Sequence, residues 1–87
     1  MSSPDLWQFP CDFPIKVTGR NVEGFADAVA QAVRQHAPDF DAASMRLVVS
    51  SAGNYLSCTC VVRARSRAQL DALYTTLSGH PLVRVVL

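Results

Sequence analysis

Polar and apolar residues alternate along four stretches of the chain. From Phe13 to Thr18 every second side chain is apolar, which is the period of a strand with one buried face. The same period recurs at 44–49, 55–65 and 82–87. The turn-forming run SSAGN, residues 50–54, separates the second stretch from the third and predicts a hairpin. These patterns predict four strands.

Two further stretches repeat apolar residues at helical spacing. Asn21 is the predicted N-cap of the first helix, and Pro38 ends it. Ser66 and Gln69 have the spacing of a capping box at the start of the second helix, which ends at Gly79. The apolar stripes are Val22, Phe25, Ala26, Val29 and Val33 in the first helix, and Leu70, Leu73, Tyr74 and Leu77 in the second.

The element order is therefore β-α-β-β-α-β. Two split β-α-β units with right-handed crossovers predict an α+β, ferredoxin-like domain: a four-stranded antiparallel sheet with both helices on one face. We predict a flexible N-terminal arm over residues 1–8 and a single domain over residues 9–87.

Two cysteines one residue apart, Cys58 and Cys60, raise the question of a metal or redox site. Strand alternation places both on the helix-covered face, where cysteine behaves as a small hydrophobe. Zinc sites favour two to four residues between ligands and a second ligand pair, and neither is present in the sequence. The third cysteine, Cys11, leaves an odd number, which argues against a disulfide framework. We predict no metal and no cofactor.

Composition excludes several classes of partner. The formal net charge of +1 favours neither nucleic acid nor a membrane surface. The chain shows no signal-peptide pattern and no run near the ~18 apolar residues that span a bilayer, so a cytoplasmic protein is expected. Only 17% of residues are charged against 49% hydrophobic, so some apolar surface is expected to meet a partner.

One stretch resembles a catalytic motif. VTGRNVEGF, residues 17–25, is similar to the phosphate-binding loop of the acylphosphatases, which share the predicted fold. Neither the arginine of that loop nor the asparagine of the second strand is present here. We therefore interpret Gly19 and Asn21 as turn and cap residues and predict no enzymatic activity.

Five stretches of the chain match the sequence pattern of one known family. The stretches are FPCDFPIKV at 9–17, QHAP at 35–38, SSAGNY at 50–55, QLDALY at 69–74 and VRVVL at 83–87. Together they resemble the YbeD-like family of uncharacterised bacterial proteins. The resemblance implies a ferredoxin-like domain similar to the regulatory ACT domains, cytoplasmic and without an assigned activity. It also implies a link to lipoyl metabolism, because genes of the family often lie near those for lipoyl transfer.

Two functional hypotheses follow. In the first, a regulatory module binds a small carboxylate at the first strand–helix turn, through Gly19, Arg20 and Asn21. In the second, an adaptor without a small ligand presents the uncovered sheet face to a protein partner or, weakly, to a second copy of itself. The predicted contact residues on that face are Lys16, Arg46, Val48, Val61, Arg63, Arg84 and Val86.

Overall fold

Four strands and two helices follow one another in the predicted order in the computed structural model, which describes residues 8–87. The strands are antiparallel and lie in the order β2-β3-β1-β4. The predicted ferredoxin-like fold is confirmed. The predicted arm, residues 1–8, lies almost entirely outside the described residues. The elements are β1 (Cys11–Arg20), α1 (Phe25–His36), β2 (Arg46–Val49), β3 (Tyr55–Ala64), α2 (Arg67–Ser78) and β4 (Val83–Val86), with a short 3₁₀ turn at Ala42–Ser44.

The two central strands, β1 and β3, pair along their whole length. Pro14 is accommodated inside β1 for a geometric reason. The Lys16 amide donates to the Leu87 carbonyl at 3.0 Å, so the nitrogen of Pro14, two residues earlier, points to the same side of the strand. On that side the described pairing between β1 and β4 reaches only to Lys16 and Leu87, so Pro14 interrupts none of its hydrogen bonds.

The helices cover one face of the sheet and bury the core against it. Cys58 and Cys60 have no exposed surface, which confirms their predicted place on the covered face. Both helices contribute buried residues of their predicted stripes, Phe25, Val29 and Val33 from α1 and Leu70, Leu73 and Leu77 from α2. The largest fully buried side chains are Phe25, Ile15, Leu70, Leu73, Leu77, Val17, Val29, Val33 and Val62, together with the two cysteines.

The start of α1 differs from the prediction. The helix begins at Phe25, and its N-cap is Gly24 in a left-handed conformation with φ 87°, not Asn21. A left-handed residue cannot continue a right-handed helix, so Val22 lies in the preceding loop and is 44% exposed, although its spacing matches the stripe. The predicted cap at Asn21 is therefore wrong.

The cap of α2 is confirmed in its main contact. The Ser66 hydroxyl accepts from the Gln69 amide at 3.0 Å. The Gln69 side chain does not return to the Ser66 amide, because its oxygen accepts from the Arg65 amide and its nitrogen donates to the His36 carbonyl at 2.8 Å. The start of α2 is thereby joined to the end of α1.

A β-bulge in β4 overturns one predicted face assignment. Val86 pairs with Val17 and Val83 pairs with Gly19, so both valines lie on the helix-covered face. Arg84 is the extra residue of the bulge. One inserted residue reverses the alternation along a strand, so Val86 was wrongly placed on the open face, which instead carries Val85.

Candidate functional site on the open sheet face

The sheet face opposite the helices, called the open face below, consists of cross-strand rows. One row crosses all four strands from Val48 through Ser57 and Thr18 to Val85. The hydroxyls of Thr18 and Ser57 lie 2.9 Å apart at its centre and hydrogen-bond to each other. The valines at its two ends are 55% and 48% exposed. The row is therefore a short polar centre between two apolar ends.

The next row carries the basic groups of the site. Arg46 and Lys16 flank Thr59, because both pair with it from opposite sides. Neighbouring strands lie about 4.8 Å apart, so the two cationic side chains start about 10 Å from each other. Both are exposed, and neither forms an ion pair with any carboxylate of residues 8–87. Two uncompensated cations thus flank one hydroxyl in the middle of the open face.

The remaining predicted contact residues contribute unequally. Val61 is 51% exposed on the open face, as predicted. Arg63 pairs with Asp12 at 3.2 Å, so its charge is already balanced within the molecule. Arg84 is exposed at the bulge. Val85 was missed, because nothing in the sequence signals the bulge that brings it to this face.

The predicted carboxylate site at the first turn is occupied by contacts of the protein itself. The side-chain amide of Asn21 donates to the Gly53 carbonyl at 3.1 Å, and the backbone amide of Asn21 donates to the Asn54 carbonyl. The Arg20 guanidinium lies 5.8 Å from the centre of the Tyr55 ring, within cation–π range. The structure brings Gly19, Arg20 and Asn21 together, but it uses the latter two to hold the β2–β3 hairpin.

The buried thiols have the electrostatics of core groups. Burial raises the pKa of Cys58, and burial together with the neighbouring Cys58 raises the pKa of Cys60 from 9.0 to about 12. Both thiols are therefore protonated near neutral pH, and a protonated thiol is a poor nucleophile and metal ligand. No three His, Cys, Asp or Glu side chains within residues 8–87 are grouped so as to hold a metal ion.

Comparison with known sequences identifies the family. The profile of the family described as "Protein of unknown function (DUF493)" matches residues 4–87. The chain belongs to this family. A UPF0250 protein of Nitrosomonas europaea is 45% identical over all of both chains. A UPF0250 protein of Ralstonia nicotianae is 51% identical over 94% of this chain and 84% of that protein. The resemblance drawn from the sequence is thus confirmed.

Comparison with solved structures supports the same fold for this DUF493 protein. The ACT domain from the GTP pyrophosphokinase of Chlorobium tepidum superposes with a TM-score of 0.62 over 88% of this chain and 97% of that domain. Sequence identity is 18%, so the likeness concerns the fold. In the described part of this chain, no helix is long and apolar enough to cross a membrane.

Proposed function

We propose that this DUF493 protein is a non-catalytic binding module that docks an acidic protein surface on its open face. The observation that carries the proposal is the row in which Lys16 and Arg46 flank Thr59 without any acidic partner in residues 8–87. A partner carboxylate placed between them gains two cations and a hydroxyl donor.

The apolar groups around this row supply the contact area. Val48, Val61 and Val85 are each about half exposed on the same face. Interfaces commonly combine apolar contact with charges that steer the encounter and fix its orientation. The open face has both components, whereas the two carboxylates of the helices, Asp27 and Asp71, are accompanied there by Arg34 and Arg67. The positive charge of Lys16 and Arg46, unpaired within residues 8–87, therefore favours the open face for an acidic partner.

The titratable groups support binding over catalysis. The groups with raised pKa values are Cys58, Cys60 and Tyr74, and in each the main cause is burial. Burial holds these groups in the neutral form, which does not activate a nucleophile. A catalytic thiol would require the opposite shift of its pKa.

The test reverses one charge on each side of the molecule. Lys16→Glu changes the open face, and Arg67→Glu makes the same charge change on α2, in the helix layer. A binding partner is first captured from a Nitrosomonas europaea extract on the immobilised wild type and purified. Its affinity for the wild type, for Lys16→Glu and for Arg67→Glu is then measured at about 50 and 300 mM salt. We expect Lys16→Glu to weaken binding at least ~10-fold and Arg67→Glu to weaken it less than ~2-fold. Wild-type affinity should fall as salt rises.

Equal affinities for the three proteins, or an affinity that rises with salt, would contradict an acidic partner on the open face. The finer hypotheses, a small carboxylate at Gly19, Arg20 and Asn21 and a link to lipoyl metabolism, stay predictions. The contacts that Arg20 and Asn21 already make favour the open face over that turn.

A further inference from the structure

β2 forms one edge of the sheet and is apolar on both of its faces. Within residues 8–87 it pairs only with β3, and Leu47, Val48 and Val49 are 51%, 55% and 52% exposed. Monomeric proteins usually protect an edge strand with lysine, proline, a bulge or a covering element. Within β2 the single charged residue is Arg46, at its first position. This edge therefore lacks the usual protection.

The covered side of the sheet stops short of this strand. Leu47 pairs with Cys58 and Val49 pairs with Leu56, and both partners are buried on the face that the helices cover. Leu47 and Val49 point to that same face but remain half exposed. Two apolar side chains in register with the core are thus left beside it without a cover.

The backbone amides and carbonyls of β2 point alternately toward β3 and away from the sheet. The Ser50 amide donates to the Tyr55 carbonyl at 2.9 Å, so Ser50, Val48 and Arg46 direct their backbone groups toward β3. Strand geometry then directs the amides and carbonyls of Leu47 and Val49 outward, away from the sheet. The free edge is a template for another strand.

We propose that β2 pairs antiparallel with β2 of a second copy of this chain, around a two-fold axis at Val48. Leu47 of each copy then faces Val49 of the other, and the outward backbone groups of these residues form about four hydrogen bonds. Val48 faces its own counterpart in a non-hydrogen-bonded pair. Each Arg46 faces a Ser50, so no like charges are opposed.

The neighbouring registers fit less well. An axis at Leu47 would require the Met45 amide, which already donates to the Ala42 carbonyl at 3.2 Å. An axis at Val49 would set Leu47 opposite the polar Ser51. The register at Val48 alone matches apolar with apolar on both faces and brings the two Leu47–Val49 pairs together on the helix side. The second copy thereby supplies the missing cover.

Disulfide trapping tests the register. In a Cys11→Ser background, Val48→Cys places two thiols in a non-hydrogen-bonded pair with a Cα separation of about 4.5 Å, which suits a disulfide. Val49→Cys, which lies opposite Leu56 and not opposite a cysteine of its own chain, places its two thiols diagonally, with Cα atoms beyond the ~7 Å limit. We expect mild oxidation to convert the Val48→Cys variant to a covalent dimer and to leave the Val49→Cys variant monomeric. Trapping of Val49→Cys as efficiently as Val48→Cys would overturn the register.

Sedimentation velocity from about 10 to 500 μM tests the pairing itself. Val49→Lys places a charge on the edge, and Val61→Lys makes the same change at an equally exposed valine on the open face. We expect a wild-type dimer whose dissociation constant rises at least ~10-fold in Val49→Lys and less than ~2-fold in Val61→Lys. A wild type that stays monomeric throughout, or equal effects of the two lysines, would overturn the proposal. Circular dichroism of both variants checks that they are folded, and the Val48→Cys variant tests the pairing without any added charge.

Discussion

Replacing Gly19 with Ala is expected to destabilise the domain by about 3 kcal/mol. A Cβ on Gly19 would lie 2.5 and 2.8 Å from two ring carbons of Phe25, and closer still to the backbone oxygen of Leu82. Carbon atoms in ordinary contact are about 3.5–4.0 Å apart. Phe25 is fully buried at the start of α1, and the Leu82 oxygen belongs to the backbone that enters β4, so neither yields without moving an element. Overpacking of this kind costs roughly 1–3 kcal/mol, and occasionally more.

Gly53→Ala is the matched control, since it adds the same methyl group without a clash. Gly53 has φ 82°, and a Cβ there would meet nothing within 4 Å, so the cost is only the left-handed backbone, about 1 kcal/mol. At roughly 4–8 °C per kcal/mol, Gly19→Ala should lower the melting temperature by about 12–24 °C and Gly53→Ala by about 4–8 °C. Urea unfolding followed by circular dichroism gives the two free energies. If Gly19→Ala lowers the free energy of unfolding no more than Gly53→Ala does, β1 does not pack against β4 and α1 at Gly19 as closely as described.

Two further predictions concern the buried thiols and the first turn. Replacing Cys58 and Cys60 together with Ala should cost roughly 2–4 kcal/mol in urea unfolding through the cavity it leaves. Because the pKa of folded Cys60 is about 12 against 9.0 without burial, wild-type stability should decline as pH rises from 9 to 12. The double variant should show a shallower decline, and equal slopes would contradict this reasoning. In a thermal-shift screen at about 1 mM, lipoate, octanoate and amino acids should raise the melting temperature by less than ~1 °C. A larger rise that Arg20→Ala abolishes would instead support a carboxylate at the turn.

The parts of the fold that were predictable depend on local rules. Cys58 and Cys60 follow the two-residue period of an unbroken strand, and Ser66 has the side chain and spacing of an N-cap. The wrong predictions occur where the backbone departs from the regular period. Gly24 adopts φ 87°, so α1 begins only at Phe25. The extra residue Arg84 moves Val85 and Val86 to the faces opposite to those that regular alternation predicts. Neither glycine nor arginine in a sequence indicates by itself which conformation the surrounding structure imposes.

The candidate site was predictable only in outline. Period two places Lys16, Arg46 and Val61 on the open face, because their strands are regular there. The pairing of Arg63 with Asp12 depends on the register between β1 and β3, which alternation within one strand does not determine. The exposure of Leu47 and Val49 depends on how far the helix layer reaches across the sheet. The ion pair and the exposure of these two side chains therefore depend on how the strands and helices pack together, which no single stretch of sequence determines.

The two proposed surfaces share β2 without competing for the same groups. The side chains of Arg46 and Val48 belong to the open face, whereas the outward backbone groups belong to Leu47 and Val49. Pairing of two copies would continue one sheet into the next and place two rows of Lys16, Thr59 and Arg46 on a single surface. A partner with acidic groups spaced to reach both rows would bind the second row at a high effective concentration, and its affinity would exceed that for one copy. Edge pairing would then regulate partner binding through valence, while the contacts within each open face stay the same.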